Sequence, residues 1–264
     1  MTMSDREQRQ IREILELLRE VEAWMDGELP HVQERSALWA DDQRSHPYDV
    51  SQGVSHAISV AVDHLHAMRM ALTGVRPDRI DLHTYAPFTL LRAALENTCT
   101  ALWITGAATR TERIARRLRL ETKSLKHNEQ LLRSVGVDCT ADLAARRARL
   151  RQVADGCGIT HAAIGAGPSP TEITKAVGHR LGRTADEQMS AWQLWSVCSA
   201  FAHGDWWVLP LLDIEILGPA SPGVSKVRPT APTEMVLEST RAVLRLVRNS
   251  RAEFIMLSHH HLGP

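Results

Sequence analysis

The sequence predicts an all-α fold, a single helical bundle of about eight or nine helices. Three observations carry this. Apolar residues recur at the 3.6-residue period through most of the chain, and capping residues and glycines bracket those segments. Strand-like patterning is confined to one stretch near 206–230, which reads as a short irregular or β-hairpin insertion.

Element by element, Ser4 and Glu7 form a capping box ahead of Ile11, Ile14, Leu15, Leu18, Val21 and Met25, and Gly27 ends that helix. Pro30 opens a second, shorter helix, followed by the polar run ADDQRSHPYD. The helices over 4–44 read as a peripheral or dimerisation arm. Val50 to Thr73 is helical with Gly74 as its stop, RPDRIDLHTYAP is a loop, and a strongly apolar helix runs from Pro87 to Thr105. Thr109 and Glu112 box the start of a long charged helix that ends at Gly136. Thr140 caps the next, to about Asp155, and GCGITHAAIGAGPSP is a long loop. Ser169, Pro170 and Glu172 start a short helix, and Thr184 with Glu187 starts the one that ends at His203 and Gly204. WWVLPLLDIEIL and VSKVRPT, split by GPASPG, form the hairpin packed on the helices, with Pro210 and Pro229 making it irregular. A last helix covers Thr233 to Ser258. With no fixed-period repeat and no low-complexity linker, residues 1–264 read as one domain.

Composition excludes more than it assigns. Hydrophobic residues are 44% and charged residues 23% of the 264, ordinary for a globular chain, and 31 acidic residues balance 31 basic ones. Four cysteines without a C-x-x-C fit a reduced compartment and argue against a zinc ribbon or a disulfide scaffold. The polar start MTMSDREQRQ carries no signal-peptide pattern, and the most apolar helix holds Arg92, Glu96 and Asn97. The expected location is therefore cytoplasmic, away from membranes. Thirteen histidines raise the question of metal, but the paired Glu-x-x-His segments of a di-metal bundle are missing. Walker, G-x-G-x-x-G, H-E-x-x-H and G-x-S-x-G patterns are missing too, so no metal and no cofactor are expected.

Two helices stand out. Arg92 and Glu96 are the sole charges between Tyr85 and Ala108 and stand four apart, on one face. On the helix ending at His203, Trp192, Ser196, Ser199 and His203 fall within about 60° of one another at 100° per residue. If the two stripes face each other across an antiparallel pair, a plausible acid–base site results. His203 is then the acid–base group, Glu96 orients it, Arg92 holds an anion or developing charge, and Ser199 supports. Trp103, Trp192 and Ser196 line the ligand space. The alternative is that His203 caps helix carbonyls and Arg92–Glu96 is a structural pair.

The stretches LLRAALENTCTALWI, RTERIARRLRLETKSLKHNEQ and WSVCSAFAHGDWW resemble a group of uncharacterised bacterial helical proteins marked by R-x-x-x-E and S-x-x-x-H-G. That group distantly resembles the HEPN superfamily of helical bundles, many of which bind or cut RNA without metal. The resemblance spans residues 85–207. It implies an RNA- or nucleotide-directed protein of a toxin, defence or stress type, with a metal-independent ribonuclease-like phosphodiester activity. The HEPN ribonuclease signature, Arg four to six residues before His on one helix, is not present at His203, and Arg92 could stand in for that arginine only from another helix.

Charge is unevenly spread. Residues 1–50 carry 12 acidic and 6 basic groups, whereas 110–151 carry 12 basic and 5 acidic. Arg113, Arg116 and Arg117, together with Arg241, Arg245 and Arg248 on the last helix, are candidate contacts to RNA or a phosphate-bearing ligand. The alternatives are a solvated, arginine-rich surface, or a homodimer in which acidic N-terminal helices meet basic ones. Two further readings stand beside the RNA-directed one. One is a non-enzymatic homodimeric interaction module, the other a small-molecule enzyme or binding protein with a pocket inside the bundle.

Overall fold

The computed structural model describes residues 4–73, 82–181 and 189–259. They form α1 (Asp5–Leu17), α2 (Arg19–Asp26), α3 (Ala37–Ser45), α4 (Val50–Thr73), α5 (Ala86–Thr105), α6 (Arg110–Ser134), α7 (Thr140–Gly156), α8 (His161–Ile164), α9 (Pro170–Leu181), α10 (Ala191–His203), a 3₁₀ turn (Trp206–Leu211), β1 (Asp213–Ser221), β2 (Val224–Thr230) and α11 (Thr233–His259). The fold is mostly all-α, with one short antiparallel hairpin among the described residues. No helix among them is long and apolar enough to cross a membrane.

Most boundaries follow the local chemistry of the chain. Ser4 and Glu7 bond reciprocally as a capping box, and the Thr109 and Ser169 hydroxyls each accept the N–H three residues on. Gly136 and Gly204 take positive φ at helix ends, where a Cβ would strain the left-handed turn. Five expectations change. The first helix breaks at Leu18 into α1 and α2. Pro30 opens no helix; α3 starts after Ser36, whose Oγ accepts from Trp39 N–H. Thr140 is the first residue of α7 and not its cap, its own N–H being held by the Asp138 carboxylate at 3.0 Å. The glycine-rich loop contains α8, capped by Thr160. Finally, α10 begins at Ala191 under a Ser190–Gln193 capping box. The expected signals at Gly74, Thr184 and Glu187, most of the loop after α4, and the last five residues lie outside the described ones.

The chain divides into two compact units, each assembled from separated segments. The first comprises Met1–Glu28, Ser59–Thr98 and Leu181–Arg248. In it, the acidic N-terminal helices lie along α11 in a regular ladder. Arg6 pairs with Glu234, Glu13 with Arg241, and Glu20 with Arg248. Each step is seven residues on both strands of the ladder, so the helices run parallel. Behind the ladder, Ile11, Ile14, Leu18 and Val21 and, on α11, Val236, Thr240, Val243 and Val247 are buried at alternating three- and four-residue spacing. This is a coiled-coil-like seam with flanking charge pairs. Such exposed pairs contribute little stability singly, but they fix the register. Of the helices over 4–44 expected as a peripheral or dimerisation arm, α1 and α2 thus lie against α11 of their own chain.

The second unit comprises Leu29–Ile58, Cys99–Arg180 and Asn249–Pro264. Here α6 is held by Arg113, which grips the fully buried Asp41 of α3 through Nε at 2.5 Å and Nη2 at 3.0 Å. The Leu102 and Trp103 carbonyls near the C-terminal end of α5 are capped by guanidinium N–H groups of Arg180 (3.3 Å) and Arg116. Gly106 admits that approach, since a Cβ there would lie 1.5 Å from Arg180 Nη1.

Candidate functional site

Within the first unit, α5 and α10 pack antiparallel, as the two-stripe reading requires. Phe88 stacks on Phe201 with centroids 4.0 Å apart, Arg92 lies 6.0 Å from the Trp195 ring centre, and Glu96 accepts from Trp195 Nε1 at 2.7 Å. Ascending α5 is descending α10. The face of α10 that meets α5 therefore carries Trp195, Cys198 and Phe201. It is rotated by roughly 120° from the stripe of Trp192, Ser196, Ser199 and His203, at 100° per residue.

That rotation changes the expected constellation. Glu96 Oε1 receives both Trp195 Nε1 and, at 3.0 Å, Arg92 Nη2. It does not hold the imidazole. His203 stands eight residues past Trp195, about 12 Å further along the helix axis, is exposed, and makes no hydrogen bond or ion pair among the described residues. Ser199 is half-buried, and Ser196 spends its hydroxyl on the Trp192 carbonyl at 2.9 Å. The structure brings Arg92 and Glu96 together but leaves His203 and Ser199 outside their contacts. The physical reason is packing. Burying Cys198 and Phe201 removes more apolar surface from water than facing two serines inward, so the apolar side of α10 turns to α5.

The Arg92–Glu96 pair is partly wet, with 27% and 28% of the two side chains exposed. Cys198 lies beneath it, and burial pushes its thiol up to about 12, with the Arg92 charge pulling weakly the other way. A thiol so placed holds its proton at neutral pH and is no nucleophile. All four cysteines are buried and none is joined in a disulfide. In native protein at pH 8, Ellman's reagent is expected to titrate no thiol within minutes, and four after guanidinium unfolding. A fast-reacting thiol in the native state would contradict this packing.

The remaining ligand and nucleic-acid candidates separate. Trp192 is partly exposed in the first unit. Trp103 belongs to the second, buried with the Arg116 and Arg119 guanidiniums 5.2 and 5.4 Å from its ring centre. Arg113 is consumed by Asp41, Arg116 by Glu112 and the Trp103 carbonyl, and Arg117 by Glu121 and the Asp49 carbonyl. Arg241 and Arg248 belong to the ladder with Glu13 and Glu20, and Arg245 lies on the same side of α11, where these residues border a cleft of about 640 Å³. The acidic partners of Arg241 and Arg248 are thus supplied within the chain. Among the described residues no group of three or more histidine, cysteine, aspartate or glutamate side chains is arranged to hold a metal ion.

Sequence reading missed the surface that follows. Residues 206–230 were expected to pack on the helices. Instead Val208, Leu212 and Ala231 are buried at the base while Trp206 is 85%, Ile216 71% and Trp207 55% exposed. The hairpin is tied at its root by Thr84 Oγ1 donating to the Pro229 carbonyl at 3.1 Å. The alternation of Ile214 and Ile216 with charged neighbours was the available signal.

No protein-family model, curated protein or solved structure compared with this chain matches it.

Proposed function

We propose that this chain is a non-enzymatic, cytoplasmic interaction module that acts as a homodimer through the surface formed by residues 206–230. One observation carries it: large apolar side chains, Trp206, Trp207, Ile214, Ile216, Leu217, Val224 and Val227, stand 47–85% exposed in one continuous stretch. Exposed apolar surface on that scale marks an interaction site, and tryptophan is the residue most enriched among interface anchors. Against the RNA-directed reading, the acid–base set is divided and five of its six candidate arginines are engaged by carboxylates of the same chain.

Light scattering behind size exclusion tests this, together with incubation of labelled RNA beside His203→Ala. The expected mass is twice 29.4 kDa, falling towards one chain for Trp206→Ser/Trp207→Ser, with intact RNA in both incubations. A monomer at 100 µM overturns the reading. So does RNA cleavage that His203→Ala abolishes.

A further inference from the structure

We infer that the cleft walled by α11, the start of α10 and the root of the β1–β2 ribbon binds a small organic cation, an ammonium group carried on an apolar body. The cleft measures about 640 Å³, and its lining lies wholly within the first unit. Small-molecule sites have volumes of roughly 300–1,000 Å³ and are mostly apolar, with a few polar groups that orient the ligand. Met189, Leu194, Leu211 and Met235 supply the apolar lining here, and the two methionines let it adapt to the shape of a ligand. The site is independent of the assembly reading, since one chain supplies all of its walls.

The charges around the cleft decide the sign of the ligand. Arg241, Arg245 and Arg248 stand against Asp213, Glu234 and Glu238. Arg241 already holds the Glu13 carboxylate and Arg248 that of Glu20, and Arg245 is engaged as well. Of the carboxylates, Glu234 pairs with Arg6 and Glu238 with Arg241. Asp213 is different. Its backbone carbonyl accepts from Thr230 Oγ1 at 3.3 Å, but its carboxylate makes no hydrogen bond or ion pair among the described residues. With the ladder partners included, five carboxylates face four guanidiniums. An anion would have to displace carboxylates that are already bonded, whereas a cation completes the pairing.

A second polar group on the wall points the same way. Ser239 lines the cleft and is 2% exposed, yet its hydroxyl makes no hydrogen bond among the described residues. Its neighbour Thr240, by contrast, bonds back to the Val236 carbonyl at 2.7 Å. A buried hydroxyl is costly without a partner, and a ligand in the cleft can supply one. Asp213 lies opposite Thr230, three residues before α11 begins, and Ser239 stands two turns into that helix. Arg248 is roughly 13 Å further along the helix axis. The two unpartnered groups therefore belong to the N-terminal end of the α11 wall, away from the arginines. A primary ammonium carries three N–H donors, enough for a carboxylate and a hydroxyl.

Calorimetric titration of the full-length protein at pH 7 tests this with three probes of equal chain length, octylamine, octanoate and octanol, each kept below its micelle concentration. Octylamine is expected to saturate one site per chain and to bind about 10-fold tighter than either other probe. Asp213→Asn is expected to weaken octylamine about 10-fold while leaving octanol and the melting temperature unchanged, because the side chain it alters is exposed. Ser239→Ala is expected to weaken octylamine by a smaller factor. Ala242→Phe, which fills the cleft from the α11 wall, is expected to abolish binding of all three in a protein that still melts cooperatively. Octanoate binding as tightly as octylamine overturns the inference. So does octylamine binding that Asp213→Asn leaves intact, a result that stands whether or not Ala242→Phe folds. Absence of saturable octylamine binding at millimolar concentration overturns it as well.

Discussion

Asp41→Ala is expected to destabilise the chain by about 3–5 kcal/mol, the usual cost of removing one partner of a buried ion pair. Asp41 has no exposed surface, and Arg113 retains only 11% of its side chain in solvent. The carboxylate accepts two N–H bonds from the Arg113 guanidinium, and Arg110 Nε lies a further 3.3 Å from it. Alanine removes the acceptor and leaves one nearly buried cation, with a second beside it, facing no counter-charge. Desolvation of an unpaired charge far exceeds what the lost methylene contacts contribute. Urea denaturation measures the difference. The double variant Asp41→Leu/Arg113→Met is expected to recover most of the loss, since apolar residues of like volume replace such pairs at little cost. A single-variant loss below about 1 kcal/mol would mean that the pair is solvated and contributes as surface pairs do.

That pair marks where sequence reading reached its limit. Helix identity was legible because period, caps and glycines are local: α4, α5, α6, α9 and α11 stand within a few residues of their expected bounds. The antiparallel meeting of α5 and α10 was also framed correctly, because a helix apolar nearly all round must be central. Which face of α10 turns inward was not legible. Its sequence AWQLWSVCSAFAH offers a small-polar stripe and an apolar one, and a helical projection alone does not rank them. Burial of Phe201 against Phe88 does. The charge asymmetry was legible, but whether it served a nucleic acid, solvent, a second copy or the chain itself was not. The seven-residue spacing shared by Arg6, Glu13 and Glu20 with Glu234, Arg241 and Arg248 was visible in the sequence and would have indicated that the two helices can pair in register, though not whether within one chain. Asp41 with Arg113 left no such trace, because 72 residues separate them and neither stands in a periodic row.

Phe201→Ala carries the second large effect, a loss of about 3–5 kcal/mol as for other buried phenylalanines. Phe201 is 1% exposed and Phe88 fully buried, with their rings 12° from parallel. Truncation leaves a cavity between α5 and α10 that backbone cannot fill, because both helices are fixed by other contacts around it. The consequence reaches the proposed interface. Three residues after Phe201 the chain turns through the left-handed Gly204, and the Asp205 N–H bonds back to the Ala200 carbonyl at 2.9 Å. From there the 3₁₀ turn projects Trp206 and Trp207 outward while anchoring Val208 in the core. The last turn of α10 is thus the mount of the exposed surface. His203, on the same turn but facing solvent, contributes nothing to that mount, and His203→Ala is expected to change stability by less than about 0.5 kcal/mol. Denaturation of the two variants side by side, with light scattering in native buffer, separates the roles. Phe201→Ala should lower stability and loosen dimerisation together, and His203→Ala should leave both untouched. If instead His203→Ala dissociates the dimer without destabilising the fold, the imidazole belongs to the interface, and the contact extends from the ribbon onto the end of α10.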